Sequence, residues 1–354
     1  MIKKYEKLMR KCLSLAKKAK GKNMPNPFVG AIVYDEKKDE IVSVGYHKEY
    51  GKSHAEVNAI DSAKGNTKDK TIIVNLEPCS HYGKTPPCAD LIVKSGFKKA
   101  IIGMKDINPI VQGRGIEKLK KAGIEVVVGV LKEECLELNK IFIKNILTKK
   151  PYIMLKTATT LDGKIATKIG ESKWISDEYS RKIVQNFRSE YQAIMSASGT
   201  ILKDNPKLNV RIKNKKSPTR IIFDPNNKIP LDYEVFKDDG VRKILINNSK
   251  IQLPKTVEQI SFNGDFDELF KKLYEMKIYS IMVEAGSGFN SLLFKNNEVD
   301  EINQFIAPKI FGNGINFVDG IENLKVDEAI KLRDIKIKKL QNDVLISARV
   351  SKNT

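Results

Sequence analysis

No run of apolar residues in this 354-residue chain approaches the roughly 18 that a membrane-spanning helix needs, so no membrane partner is expected. The basic opening stretch, MIKKYEKLMRKCLSLAKKAK, lacks the continuous apolar core and small-residue cleavage site of a secretory signal, and the expected location is the cytoplasm. Cysteine is scarce: Cys12, Cys79, Cys88 and Cys135 are too few for a disulfide scaffold, and cytoplasmic cysteines at motif spacing bind metal or do chemistry. No strict GxGxxG follows a strand and no Walker loop is present, which disfavours a Rossmann dinucleotide domain and a P-loop.

What the chain has in excess is positive charge, with 63 lysines and arginines against 43 acidic residues and a formal net charge of +20. Such an excess could draw nucleic acid or phosphate-bearing small molecules. The lysines are scattered, however, through runs such as Lys17, Lys18, Lys20 and Lys213, Lys215, Lys216, the pattern of solvated helix faces and loops. An apolar fraction of 41% with 30% charged residues is that of a folded globular chain rather than a disordered one. At about 150 residues per domain, the length suggests two.

The periodicity predicts an amphipathic helix over 5–20, strands over 29–34 and 41–46 joined by the polar DEKKDE, and a helix beginning near His54. A buried strand TIIVNL (71–76), a helix 89–94, a strand 100–104, a helix 115–121, a strand 124–130 and a helix 133–147 follow. This alternation implies a largely parallel sheet with helices on both faces. Lys149, Lys150 and Pro151 break the last helix, and PYIMLKTATT restarts a β pattern; the division is placed at 1–146 and 147–354. The second part reads as another α/β domain, with strands 193–196, 220–223, 243–246 and 278–284 and helices 178–188 and 266–276.

His54 and Glu56 are followed by Cys79 and then by Cys88 after two prolines. One imidazole and two thiolates leave zinc a fourth position for water, as a catalytic rather than structural site requires. A helix start favours the thiolate form of Cys88. Glu56 is the natural proton carrier: in zinc deaminases a non-ligand glutamate moves protons while water adds to an amidine-like ring carbon. Each residue also has a plainer reading on its own. Ser53 and Glu56 fit a capping box, the cysteines could be ordinary buried ones, and His54 a satisfied polar residue.

The stretches GYHKEYGKSHAE (45–56) and EPCSHYGKTPPC (77–88) closely resemble the deaminase domain of bifunctional riboflavin biosynthesis proteins. Base and tRNA deaminases typically keep two residues between their cysteines; eight stand here, including His81 and Lys84. The resemblance implies a three-layer α/β/α fold like that of cytidine deaminases, with His54, Cys79 and Cys88 as zinc ligands and Glu56 as catalytic acid and base. It further implies that Asn26, His47, His81 and Lys84 contact the pyrimidine or its ribose phosphate. Neutral imidazoles and an amide suit ring edges, and an ammonium suits phosphate.

In the second part, the small-residue turn after strand 278–284 opens a helix and could present backbone amides to a phosphate, though such turns are commonly just tight turns. LKTATTLDGKIA, GESKWIS, SGTILKDNPKLNVR and VEAGSGFNSLLF resemble, in order, the reductase domain of the same family, which is similar to dihydrofolate reductase in fold. That resemblance implies an NADPH site at Ala158, Trp174, Thr200, Asp204 and the turn Gly286, Ser287, Gly288, Phe289, Asn290, Ser291 and Leu292. It places Ser172, Arg188, Leu208, Arg211 and Glu284 at the substrate, with the two arginines suited to the ribose phosphate. Ala285 stands where the family commonly has glycine, and Pro225 where it has a serine near the cofactor.

The function implied is zinc-dependent hydrolytic deamination of a diamino-ribosylamino-pyrimidinone phosphate, followed by NADPH-dependent reduction of its ribosyl chain to a ribityl chain. The expected partners are small phosphorylated pyrimidines and further copies of the chain, not nucleic acid. Three rivals remain: a nucleic-acid deaminase, which predicts the short cysteine spacing and no second domain; a structural zinc protein that binds RNA, which predicts a fourth protein ligand; and a deaminase whose second domain is inactive.

Overall fold

The computed structural model describes residues 2–82, 86–108, 112–249, 251–322 and 325–352. The chain divides into two compact units, Met1–Lys149 and Lys150–Thr354. No helix among the described residues is long and apolar enough to cross a membrane.

The first unit is built on strands β1 (Gly30–Asp35), β2 (Glu40–Tyr46), β3 (Thr71–Leu76), β4 (Lys99–Met104) and β5 (Glu125–Val128), in the order β2-β1-β3-β4-β5. Alternate residues of the buried strands point to opposite faces. Ala31, Val33, Ile72, Val74, Ala100 and Ile102 face helices α2 (Ala55–Ser62), α3 (Cys88–Lys94) and α4 (Arg114–Lys121). Ile32, Tyr34, Ile73, Ile101 and Met104 face α1 (Ile2–Ala16) and α5 (Lys132–Leu138). The result is a three-layer sandwich.

Two expectations need correcting. The sheet is mixed rather than largely parallel, because β1 pairs antiparallel with both β2 and β3, and only β3, β4 and β5 run parallel. The helix expected over 133–147 is two helices, α5 and α6 (Lys140–Thr148), which meet at Asn139. Asn139 leaves helical geometry to serve the chain elsewhere. Buried at 1% exposure, its Oδ1 accepts from the Phe28 N–H at 2.7 Å and its Nδ2 donates to the Phe28 carbonyl at 3.2 Å. Asn75 on β3 completes this amide knot, accepting from Gly30 N–H at 2.8 Å and donating to Phe28 O at 2.9 Å. The residues just before β1 are thereby tied to both the central strand and the back helices.

One glycine decides how close β2 comes to α2. A Cβ at Gly45 would lie 2.4 Å from the Ala55 carbonyl oxygen, so only glycine lets the strand pass directly beneath the start of that helix.

The second unit carries a nine-stranded sheet among its described residues, in the order β11-β10-β9-β8-β12-β6-β13-β16-β15, with β7 (Lys164–Thr167) and β14 (Gly314–Asn316) as a separate pair. Strands β6 (Tyr152–Thr160), β8 (Ala193–Ala197), β9 (Thr219–Phe223), β10 (Lys243–Ile246), β11 (Val257–Ile260), β12 (Ser280–Val283) and β13 (Glu301–Ala307) run parallel. β15 (Leu332–Lys339) and β16 (Val344–Val350) close one edge antiparallel. Helices α9 (Phe266–Glu275) and α10 (Ser287–Lys295) cover one face, where Phe223, Phe262, Phe266 and Phe289 form a cluster with Phe223 and Phe289 ring centroids 4.7 Å apart. On the other face Ile194, Ile222 and Leu245 pack against Ile201 of α8 (Ser198–Asp204). Helix α7 (Glu178–Glu190) places Phe187 6.2 Å from Phe305 of β13.

Asn139→Ala removes the partner of the buried Phe28 N–H, and is expected to destabilise the first unit by about 2 kcal/mol. The check is urea unfolding of the full chain: the transition reported by first-unit signals should move to lower urea and that of the second unit should not.

Candidate functional site

In the first unit the starts of two helices meet beyond the end of β3. His54 is the N-cap of α2, with extended backbone angles (φ −67°, ψ 165°) and no side chain closing a cap hydrogen bond. The capping-box reading of Ser53 and Glu56 is therefore not the one the backbone adopts. The imidazole instead faces two sulfurs: His54 Nδ1 lies 3.3 Å from Cys88 Sγ and 3.7 Å from Cys79 Sγ. The three candidate ligand atoms all lie within 4.8 Å of one another, the one such His, Cys, Asp or Glu cluster among the described residues. Cys88 is the first residue of α3, and its own backbone N–H donates to Cys79 Sγ at 3.3 Å.

The thiols are tuned accordingly. Cys79 is pulled down to about 4 by the hydrogen bond from Cys88, against burial and with help from His54, while the same bond and burial push Cys88 up. The pair thus shares one proton, which a divalent cation would displace on binding. His54 is raised by its bond to Cys79. Glu56, 4% exposed in the first turn of α2, is pushed up to about 7 by burial and then by the Cys79 charge. Two sulfurs and one imidazole nitrogen converging on a point are a donor set that fits zinc, with room for a non-protein ligand.

Two of the four residues expected at the pyrimidine stand beside this cluster. Asn26 Nδ2 is 3.0 Å from His47 Nε2, and His47 Nδ1 is 3.1 Å from the Ser53 carbonyl. The carbonyl can only accept, so Nδ1 carries the proton and Nε2 accepts from Asn26. Burial lowers the His47 pKa, which keeps the ring neutral, and the His47 and His54 rings lie edge to face at 5.6 Å. His81 is exposed two residues past Cys79; Lys84 lies outside the described residues.

The second unit holds a cavity of about 860 Å³. Its wall brings together Ala158, Ser172, Trp174, Arg188, Thr200, Asp204, Leu208, Arg211, Glu284, Gly286, Ser287, Gly288, Phe289 and Leu292. Asn290 and Ser291 are not part of that wall. They point to the protein side of α10, where Asn290 Nδ2 donates to Phe317 O at 2.9 Å and Ser291 Oγ donates to Ser287 O at 2.8 Å. Pro225 and Ala285, the two departures from the family pattern, both line the cavity.

Arg188 lines the cavity and is also paired within the protein. Its Nε and one Nη grip the Glu284 carboxylate at 2.6 and 2.9 Å, and the other Nη donates to Asn209 O at 2.9 Å. Three of its five N–H donors are thereby engaged. Lys156, 4.0 Å from Glu284, is the residue that sequence reasoning missed here. The signal was a lone lysine inside the apolar strand β6. Burial works against ionising Glu284, but Arg188 and Lys156 hold its carboxyl at about 2, while burial lowers the Lys156 pKa.

The two sites define a two-domain enzyme with a zinc-type deaminase centre and a separate reductase cavity. Residues 2–104 match the cytidine and deoxycytidylate deaminase zinc-binding region, and residues 151–346 match the RibD C-terminal domain. The riboflavin biosynthesis protein RibD of Aquifex aeolicus is 43% identical over 98% of this chain and 99% of its own, and that of Actinobacillus pleuropneumoniae 41% identical over 96% and 93%. Among solved structures, a diaminohydroxyphosphoribosylaminopyrimidine deaminase/5-amino-6-(5-phosphoribosylamino)uracil reductase from Thermotoga maritima superposes with a TM-score of 0.90 at 38% identity, covering 99% of both chains. RibD from Acinetobacter baumannii gives 0.88 at 30% identity, over 99% of this chain and 100% of its own. The chain belongs to the RibD family, bifunctional deaminases and reductases of riboflavin biosynthesis. The first unit is the cytidine-deaminase-like fold and the second the dihydrofolate-reductase-like fold.

Because the folded Glu284 pKa lies below its ordinary 4.5, the stability it contributes is complete above about pH 4.5 and fades as the pH falls toward about 2, amounting to about 3 kcal/mol. Glu284→Gln should remove this share of the acid sensitivity of the second unit, seen as a flatter dependence of its unfolding midpoint on pH between about 5 and 3.

Proposed function

We propose that residues 1–146 hydrolyse the amino group of a diamino-ribosylamino-pyrimidinone 5′-phosphate and that residues 147–354 then reduce the ribosyl chain of the resulting uracil with NADPH. The observation that carries the first assignment is the convergence of His54, Cys79 and Cys88 beside the buried Glu56.

His54 Nδ1 and the sulfurs of Cys79 and Cys88 would hold zinc. The ion, when bound, supplies the Lewis acidity that makes water a competent nucleophile near neutral pH. Glu56, raised to about 7, is poised both to accept a proton from water and to release one to the ring and the departing ammonia. The neutral His47 and the amide of Asn26 would bind and orient the pyrimidine edge, with His81 and Lys84 toward its ribose phosphate.

In the reductase, NADPH supplies hydride to the ribosyl C1 carbon. The start of α10, Gly286 to Phe289, would offer amides to the diphosphate, with Leu292 one turn on, and Ala158, Trp174, Thr200 and Asp204 line the coenzyme side. Ser172, Leu208 and Glu284 would position the pyrimidine. Arg188, oriented by its pairing with Glu284, and Arg211 both line the cavity and would hold the ribose phosphate. The work of these residues is alignment and exclusion of water. The same reading makes the chain a cytoplasmic homo-oligomer acting on small phosphorylated pyrimidines. The eight residues between Cys79 and Cys88 support such a substrate over nucleic acid.

The test follows ammonia release and NADPH oxidation separately in zinc-analysed protein. Glu56→Gln is expected to lower ammonia release by about 10²- to 10⁴-fold, with zinc content and NADPH oxidation on the supplied uracil intermediate unchanged. Ammonia release persisting at the parent rate would remove Glu56 from the chemistry.

A further inference from the structure

The motif EPCSHYGKTPPC contains one carboxylate, and neither reaction uses it. Glu77, 3% exposed, directly follows β3 and stands two positions before Cys79. Its carboxylate accepts from the backbone N–H groups of Asp106 and Gly113 on Oε2, at 3.1 and 3.0 Å, and of Gly115 and Ile116 on Oε1, at 3.0 and 3.2 Å. A carboxylate has about four acceptor sites, and all of these are met by donors far away in sequence. Gly115 and Ile116 lie in the first turn of α4, where amides lack intrahelical acceptors and an anion is favoured.

The neighbouring contacts carry this grip to the sulfur. A Cβ at Gly115 would lie 2.1 Å from the Pro78 carbonyl oxygen, so the peptide between Glu77 and Cys79 rests directly on α4. On its other side Cys79 is held by α3, through Cys88 N–H to its Sγ at 3.3 Å and Ala89 N–H to its carbonyl at 3.1 Å. The ligand is thus fixed between the first turns of two helices, and Glu77 ties the second of them to the strand.

We propose that Glu77 is a positioning residue for the metal centre: by clamping α4 to the end of β3 it sets where the Cys79 sulfur stands relative to His54 and Cys88. The inference rests on the zinc reading of those three residues. A carboxylate that only stabilised the fold would lower the melting temperature without changing how tightly molecules that remain folded keep their metal.

Zinc-loaded full-length protein is mixed with excess 4-(2-pyridylazo)resorcinol below its unfolding temperature, and the rate of zinc transfer is read from the dye. Glu77→Gln turns an amide NH₂ toward N–H donors and is expected to speed transfer about tenfold or more, the scale seen when a group supporting a metal ligand is lost. Glu36→Gln is the comparison, since Glu36 accepts from Tyr5 and Thr71 at the opposite end of β3; it is expected to leave transfer at the parent rate. Transfer from Glu77→Gln at the parent rate overturns the proposal, as does equal acceleration by Glu36→Gln at an equal loss of melting temperature. Should Glu77→Gln fail to fold, Glu77→Asp keeps the charge but shortens the reach, and parent-rate transfer from it is likewise decisive against the idea. A parent protein that takes up no zinc overturns the zinc reading itself, a result separate from the other two.

Discussion

The uncommitted N–H groups at helix starts are what the chemistry of this protein is arranged around. In the first unit α3 and α4 begin beyond the ends of the parallel strands β3 and β4, and α2 after the antiparallel edge strand β2; each first turn meets an acidic or anionic group: Glu56 stands within α2, the Cys79 sulfur faces α3, and the Glu77 carboxylate caps α4. In the second unit α8 and α10 begin at the same kind of edge, after β8 and β12, and both line the cavity. Parallel strand–helix units deliver several partial positive charges to one edge at no extra cost in folding. The side chains that accept them differ between the units, which is how two reactions arise from one architectural device.

Much of this was legible in the sequence where local pattern and burial agree. TIIVNL is a strand buried along its whole length, and it reads so. The helix starting near His54 and the meeting of His54 with Cys79 and Cys88 follow from residue type and spacing, because metal chemistry restricts both. What escaped were features decided by distant partners. Asn139 splits a helix for the sake of Phe28, more than a hundred positions earlier in the chain. β13 hides its strand character because it buries Glu301 and Asn303, the former accepting from Tyr152 OH at 2.8 Å. β15 is exposed along its length, and Ile335 and Ile337, which alternate with lysines on it, stay in solvent rather than marking a buried face. Nothing local reveals that Arg188 pairs with Glu284, nearly a hundred residues later.

The two sites also handle charge in opposite ways. At the deaminase centre the burial that raises Glu56 toward neutrality leaves a carboxyl able to change state near pH 7. At the reductase cavity Arg188 and Lys156 lock Glu284 in its charged form. On the proposed assignments one carboxylate moves protons and the other holds still, in keeping with hydrolysis on one side and hydride transfer, where alignment dominates, on the other.

On the proposed coenzyme assignment, the four-ring cluster of Phe223, Phe262, Phe266 and Phe289 has a bearing on how the reductase meets its coenzyme. Phe289 belongs to the first turn of α10, so the amides offered to a diphosphate are anchored by aromatic packing formed during folding. Little backbone freedom would remain to be lost when a ligand arrives there. Coenzyme affinity is in this sense a property of the hydrophobic core: loosening the rings behind the helix would weaken binding without touching an atom of the ligand, and a bound ligand would in turn protect the core from unfolding.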